Sequence, residues 1–314
     1  MPLRQAVTAA GLITGYVADA AFGDPRRGHP VALFGRAAGA LERRWWADSK
    51  PRGAAYAAVC AGTATGLGLA AQRVTRRWPL ARFALTAATT WVVLGGRGLA
   101  AEGRQMARLL DDADVPGARV RLSHLCSRDA TALDSAELAR AATESIAENT
   151  SDAVVAPLLW GAVAGLPGLL GYRALNTLDA MVGYRSLRHR NFGWAAARAD
   201  DVANIVPARV GALLTVVSAP LTGGRSRAAL RAWRRDGGHH PSPNAGQVEA
   251  AFAGALDLRL GGTNTYGGEA EVRGALGDGR APGPVDLRRA VRLSRVTGAA
   301  SALTAAAIAW AVAR

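Results

Sequence analysis

The stretch ATESIAENTSDAVVAPLLW, residues 142–160, decides the fold, because it opens as a polar helix carrying acids and closes as apolar chain that a bilayer would accept. Residues four apart stack on one helix face, so Glu144, Glu148 and Asp152 can align there, with Asn149 beside Glu148. Three like charges in a row repel. Nearby arginines, a bound cation or open water must offset them.

Working outward, half of the 314 residues are hydrophobic, a high share for a soluble protein. Six apolar stretches approach the roughly 20 residues that span a bilayer: 6–22, 54–72, 83–101, 153–172, 206–222 and 296–313. They are built from Ala, Gly, Thr and Val more than from Leu, Ile and Phe, which suits close helix packing. Pro157 and Pro167 punctuate 153–172, and Pro207 and Pro220 punctuate 206–222. Proline removes a backbone donor that hydrocarbon cannot replace, so these two stretches are expected to re-enter or lie within protein without crossing. The remaining four cross, and loops 23–53, 102–152, 173–204 and 223–295 then gather on one side.

The expected fold is therefore all-α: one polytopic helical membrane domain over 1–314, with re-entrant or interfacial helices and an active site of polar loops on one face. It belongs in the cell membrane as a multi-pass protein. Segments 54–72 and 83–101 read as a hairpin joined by RVTRRWPLAR. EGRQMARLLDDA has helical spacing, Pro116-Gly117 marks a turn, and a helix from Leu133 to Thr150 is capped near Asp129 or Asp134. Residues 285–295 form a basic lead-in to the closing apolar helix.

The formal charge of +14 is scattered beside apolar segments, while 102–152 is acidic. Lys50 is the only lysine among 38 basic residues. Scattered arginines fit lipid headgroups or a polyanionic substrate, and nucleic acid is not an expected partner. Cys60 and Cys126 have neither metal-ligand nor redox spacing and read as free thiols. Arg4, an apolar run and Ala18-Asp19-Ala20 imitate a secretory signal, but the run reads as the anchor of the polar motif after it.

Five polar patches carry the chemistry. GDPRRGHP, 23–30, is a rigid turn presenting Asp24 and His29. The acid face of Glu144, Glu148, Asn149 and Asp152 is the second. NTLD supplies Asn176 and Asp179, and VGYRSLRHRNFG follows with Arg185 and Arg188 for an anionic ligand. RADDVANIVPAR, which opens on Arg198, places Asp200, Asp201 and Asn204 on one or two adjacent helix faces, a donor set suited to Mg²⁺. DGGHHPSPNAGQVEAAFAGAL brings His239, His240, Ser242, Asn244 and Gln247 before a small-residue helix. The glycine-rich GGTNTYGG, with Asn264 and Tyr266, could let backbone amides approach a phosphate. There is no GxxxxGK[ST], HExxH, CxxC or GxSxG motif.

As a set and in order, GDPRRGHPV, RAATESIAENTSDAVVAPLLW, YRALNTLDAMVGYR, ARADDVANIVPARVGALL and HPSPNAGQVEAAFAGALDLRLGG with its N-x-Y-G-G tail closely resemble the CobD/CbiB family, the adenosylcobinamide-phosphate synthases of cobalamin biosynthesis. The resemblance covers about residues 11 to 268. It implies an integral membrane ligase that joins aminopropanol, or its O-phosphate, to a propionate of adenosylcobyric acid, consuming ATP with Mg²⁺. On that reading the acid is activated as an acyl phosphate. Asp200 and Asp201 hold Mg²⁺, with Glu144, Glu148 and Asp152 as a second candidate set. Arg173, Arg185, Arg188 and Arg198 face phosphate, and His239, His240, His29 or Glu148 takes the amine proton. Asp24, His29, Asn176, Asp179, Asn204, Ser242, Asn244, Gln247, Asn264 and Tyr266 bind substrate or nucleotide. Membrane lipid, further copies of the chain and later corrinoid-assembly enzymes are the other expected partners. A non-catalytic membrane sensor of the same family and a Mg-dependent prenyl- or phospho-transferase are the alternatives.

Overall fold

The computed structural model describes residues 2–25, 28–184, 186–266 and 269–312, the side chains of 2–5 and 263–272 excepted. The chain is overwhelmingly helical. In order it forms α1 (Pro2–Phe22), α2 (Pro30–Trp45), α3 (Lys50–Val74), α4 (Pro79–Val93), α5 (Gly96–Asp111), α6 (Val115–Leu122) and α7 (Ser135–Thr150). A π-turn over Ser151–Val155 leads to α8 (Ala156–Ala164), α9 (Leu166–Val182), α10 (Trp194–Ser218), α11 (Ser226–Asp236) and α12 (Ala245–Leu256). Strands β1 (Leu260–Tyr266) and β2 (Glu269–Leu276) precede α13 (Pro284–Val312). Both cysteines are free.

Helix starts follow local chemistry. His29 Nδ1 accepts the Val31 amide, with Pro30 in the first turn of α2. Asp134 and Glu137 form a reciprocal capping box on α7, which satisfies two otherwise orphaned donors. Pro116-Gly117 is not the expected turn. It lies inside α6, because proline is tolerated in a first helical turn and Asp114 caps the Gly117 amide at 2.9 Å.

The chain forms two compact units. One comprises 1–95, 156–204 and 301–314. Here α1 packs along α4, and α3 along α9. The expected hairpin partners α3 and α4 thus each pair chiefly with another helix. Gly11 and Gly15, one turn apart on α1, admit α4 so closely that a Cβ on Gly15 would sit 2.4 Å from Thr90 Cβ. Tyr56, Phe192, Leu178 and Val182 form an apolar centre nearby.

The other unit comprises 96–155 and 205–300. Leu99, Met106, Leu138, Ile146, Val248, Phe252, Leu287 and Val291 make its core, drawn from α5, α7, α12 and α13. The stretch expected as a glycine loop is instead β1, paired antiparallel with β2: Gly262 faces Arg273, Asn264 faces Glu271 and Tyr266 faces Glu269. A bulge between Leu260 and Gly262 bends its start.

Three helical runs are long and apolar enough to cross a membrane: Lys50–Arg77, Trp194–Thr222 and Pro284–Val312. Two cover the expected crossing 54–72 and, as far as Val312, the expected crossing 296–313. Segment 6–22 falls within α1, whose apolar part is shorter. Segment 83–101 is not one helix, since Leu94 leaves the helical region at ψ 161° between α4 and α5. Segment 153–172 is likewise divided, at the π-turn and again at Gly165.

Segment 206–222, expected to re-enter or lie within protein, lies in a single helical run. Pro207 has no amide for the Ala203 carbonyl four residues back. The indole of Trp160 supplies the missing donor, Nε1 to Ala203 O at 3.0 Å. The helix therefore survives its proline.

Candidate functional site

In the unit of 1–95, 156–204 and 301–314, a polar chain is built inside apolar surroundings. Asp200 is buried and accepts from Asn204 Nδ2 at 2.9 Å and Asn176 Nδ2 at 3.4 Å. Tyr172 donates to Asn204 Oδ1 at 2.9 Å, and Arg173 donates to Asn176 Oδ1 at 3.4 Å. Asp179 lies within electrostatic reach of Asp200. Helical geometry turns neighbours about 100° apart, so Asp201 points elsewhere. It is partly exposed and meets Arg198 at 3.5 Å. The expected Asp200–Asp201 donor set is thus divided between two faces, and Asp179 is the second carboxylate near Asp200.

In the same unit His29 Nε2 stands 3.7 Å from Asp24 Oδ1, beside an open depression of 590 Å³ that Arg36, Thr177 and Met181 also line. Arg188 is committed to Glu42 at 3.1 Å, as is His189 Nε2 at 3.1 Å. Arg185 lies outside the described residues.

The unit of 96–155 and 205–300 holds a denser group. Glu144 is buried and saturated: Arg128 Nη2 donates at 2.5 Å, Arg140 Nη1 at 3.4 Å and the Gly261 amide at 2.8 Å. Gly261 reaches it from the bulge with φ +80°, where a Cβ would lie 2.1 Å from the Gly274 carbonyl. Only glycine fits. Glu148, one turn on, is half-buried, and burial pushes its proton affinity up against the pull of Arg273. Asn149 donates back to Ser145 O at 2.9 Å. Asp152 falls in the π-turn, whose wider winding shifts it from an ideal four-residue register with Glu148.

His240 is buried, and its Nδ1 accepts the Ser242 amide at 3.0 Å. A backbone N–H can only donate, so the neutral ring carries its proton on Nε2. Burial, aided by Arg273 and Arg128, pushes its pKa down to about 4. Nε2 faces Glu249 Oε1 at 3.9 Å. Glu249 is completely buried, and burial, then Glu144 and Glu148, raise its pKa well above the usual carboxylate range. Neither Glu249 oxygen has a hydrogen-bond partner among the described residues.

Other expected contacts have structural uses. Ser242 Oγ accepts the amides of Asn244 and Ala245 at the start of α12. Gln247 accepts from Trp233 Nε1 at 2.9 Å and donates to Gly237 O at 2.8 Å. Asn244 is buried and His239 exposed. Asn264 and Tyr266 lie in β1, with side chains outside the described residues.

Sequence reasoning missed Glu249, Arg128, Arg140 and Arg273. The available signal for Glu249 was one acid inside AGQVEAAFAGAL, a helix otherwise composed for burial. The arginines come from a loop, from α7 and from β2, and no local spacing joins them. Among the described residues no three acidic, histidine or cysteine side chains converge as a metal cage. Asp200 with Asp179 fits the few carboxylates that a phosphate-bound Mg²⁺ requires.

Membrane-length apolar helices and a buried group of acids, an arginine and a histidine define a polytopic helical protein with a charged cluster in its interior. The chain belongs to the CobD/CbiB family, whose profile, described as CobD/Cbib protein, matches residues 12–294. It is 56% identical over 298 residues to the cobalamin biosynthesis protein CobD of Mycobacterium tuberculosis (strain ATCC 25618 / H37Rv), covering 95% of this chain and 94% of that one. The proteins of the same name in Geobacter metallireducens, at 42% identity over 87% of this chain and 88% of that one, and Rhodobacter capsulatus, at 39% over 97% and 99%, are also similar. No solved structure matches.

Proposed function

We propose that this protein acts in cobalamin biosynthesis as a membrane-embedded amide ligase, joining the primary amine of aminopropanol or its O-phosphate to a propionate carboxylate of adenosylcobyric acid. ATP phosphorylates the carboxylate, releasing ADP. The amine then attacks the acyl phosphate, an amide C–N bond forms and inorganic phosphate leaves. The single observation supporting this reading most strongly is the buried group around Glu144, Glu148, Glu249 and His240, which combines charge-bearing donors with titratable acids inside the family match.

Mg²⁺ would be held by Asp200 and Asp179, and it would neutralise charge on the nucleotide phosphates. Asn176 and Asn204 fix the orientation of Asp200, and Arg173 steadies Asn176. Leu67, Leu213 and Leu303 carry exposed apolar surface on the three membrane-length runs, which supports placement in the cell membrane.

The test is an assay of full-length protein in detergent with adenosylcobyric acid, aminopropanol phosphate, ATP and Mg²⁺, read by mass spectrometry. The expected result is a product with the mass of the amide and one ADP per amide. An amide formed without ADP would remove the acyl phosphate from the reading, and no amide with either amino alcohol would remove the ligase.

A further inference from the structure

Three acids and three arginines meet in the unit of 96–155 and 205–300, and their pairing is uneven. Glu144 takes hydrogen bonds from Arg128 and Arg140, and Arg273 acts through space on both Glu148 and Glu249. Glu249 receives no hydrogen bond from any described residue, although it is fully buried. His240 Nε2 faces it at 3.9 Å, itself without a hydrogen-bond partner among the described residues. Buried carboxyls of native proteins are normally paired, so an unpaired one calls for a cationic or donating ligand.

We propose that Glu249 seats the primary ammonium of the amine substrate and takes its proton, making it the amine-recognition group of this enzyme. The inference rests on the amide-ligase reading above. An ammonium brings three donors and no acceptor, and Glu249 offers two accepting oxygens with Glu148 within electrostatic reach. His240 presents N–H, not a lone pair, toward the same place, because its Nδ1 is held by the Ser242 amide. It therefore shapes the seat without serving as the base.

The protons balance. In the empty protein burial and the charges of Glu144 and Glu148 favour the protonated form of Glu249, against the pull of Arg273 and Arg128. An arriving R–NH₃⁺ replaces that proton, which goes to solvent. Glu249–COO⁻ then takes one proton from R–NH₃⁺, regenerating Glu249–COOH and leaving R–NH₂ with its lone pair available for the acyl phosphate. One proton is released per amine bound.

The experiment uses full-length protein in detergent, with wild type, Glu249→Gln and Glu249→Asp. Gln copies the shape of the protonated acid that the empty protein already holds. It should raise KM for aminopropanol phosphate about 10- to 100-fold, the scale of losing a charge-assisted contact, and lower kcat for the amide by at least about 100-fold, because the group that takes the amine proton is gone. Asp keeps the charge and should retain a KM closer to wild type than Gln does. Aminopropanol phosphate alone should raise the Tm of wild type more than propanediol phosphate does, and Glu249→Gln should abolish that difference. An unchanged KM or an unchanged kcat in Glu249→Gln overturns the proposal. A Gln variant that fails to fold also overturns it, since the carboxyl would then be a structural charge. If wild type itself releases no ADP and forms no amide, the ligase reading falls, and the Tm comparison still decides whether Glu249 binds the amine.

Discussion

The Arg128 guanidinium donates to Glu144 at 2.5 Å with both side chains almost wholly buried, tying the loop before α7 to the middle of that helix. The Gly261 amide adds β1 to the same carboxylate. Glu144 is thus a three-way fastening between segments far apart in sequence. It holds the frame in which Glu148 and Glu249 face one another's charge.

Arg128→Met should destabilise the protein strongly, by about 3–5 kcal/mol, because it removes the nearest and most buried cation from a buried carboxylate. Glu144→Gln should cost less, since its carbonyl still accepts a hydrogen bond. Arg128→Met with Glu144→Leu should recover most of the loss, because neither charge of the buried pair remains and Arg140 is partly exposed. Thermal unfolding in detergent measures all three. A double variant no more stable than Arg128→Met would show that the pair is not the origin of the cost.

The Trp160 indole takes the carbonyl that Pro207 cannot bond, so the two residues should be energetically coupled. Trp160→Phe should cost about 1–3 kcal/mol in wild type, where Ala203 O loses its donor. In a Pro207→Ala background the new amide serves that carbonyl, and the same change should cost clearly less. A double-mutant cycle by thermal unfolding reads the coupling. Equal costs in both backgrounds would contradict it.

This coupling also explains what the sequence could and could not disclose. Pro207 is visible, but its tolerance depends on a tryptophan more than forty residues away. The cap at Asp134 is local and legible, as are the apolar runs around α3, α10 and α13. The interruption at Leu94 was obscured by continuous hydropathy, although Gly95-Gly96 weakens a helix there. The glycines of β1 resembled a loop because their bulge geometry comes from pairing with β2. The acid face on α7 could be read from four-residue spacing. Glu249 could not, since its significance arises only where α12 meets α7.

Titration of the buried pair should appear in the pH dependence of stability. His240 has a folded pKa of about 4 against an ordinary 6.5, so it adds stability that is present above pH 6.5 and lost as pH falls toward 4. Glu249 is shifted the other way from 4.5, so its contribution is present below that value and lost as pH rises through its folded pKa. Relative to wild type, Glu249→Gln should make stability rise more with pH above 4.5, by about 1.4 kcal/mol per pH unit. His240→Asn should change the slope in the opposite sense between pH 4 and 6.5. Denaturant unfolding across that range checks both, and parallel pH curves for all three proteins would refute the assignment. Arg128 and Arg273 act on both groups, Glu144 and Glu148 act on Glu249, and all four are unchanged in every variant.

Asp200 and Asp201 are adjacent in sequence but differ in surroundings, which makes them a stringent comparison. Asp200 sits in the amide network of Asn176 and Asn204, whereas Asp201 is partly exposed beside Arg198. Asp200→Asn should lower ATP-dependent turnover at least about 100-fold, the scale of removing a positioned charge from a reacting centre, and raise the Mg²⁺ concentration needed for half-maximal rate. Asp201→Asn removes one end of a largely solvated ion pair worth about 0–1 kcal/mol, so turnover and Mg²⁺ dependence should stay near wild type. Steady-state ADP release titrated with Mg²⁺ separates the two. If Asp201→Asn proves the more damaging, the nucleotide lies against the exposed face of α10, and the buried network is a structural brace.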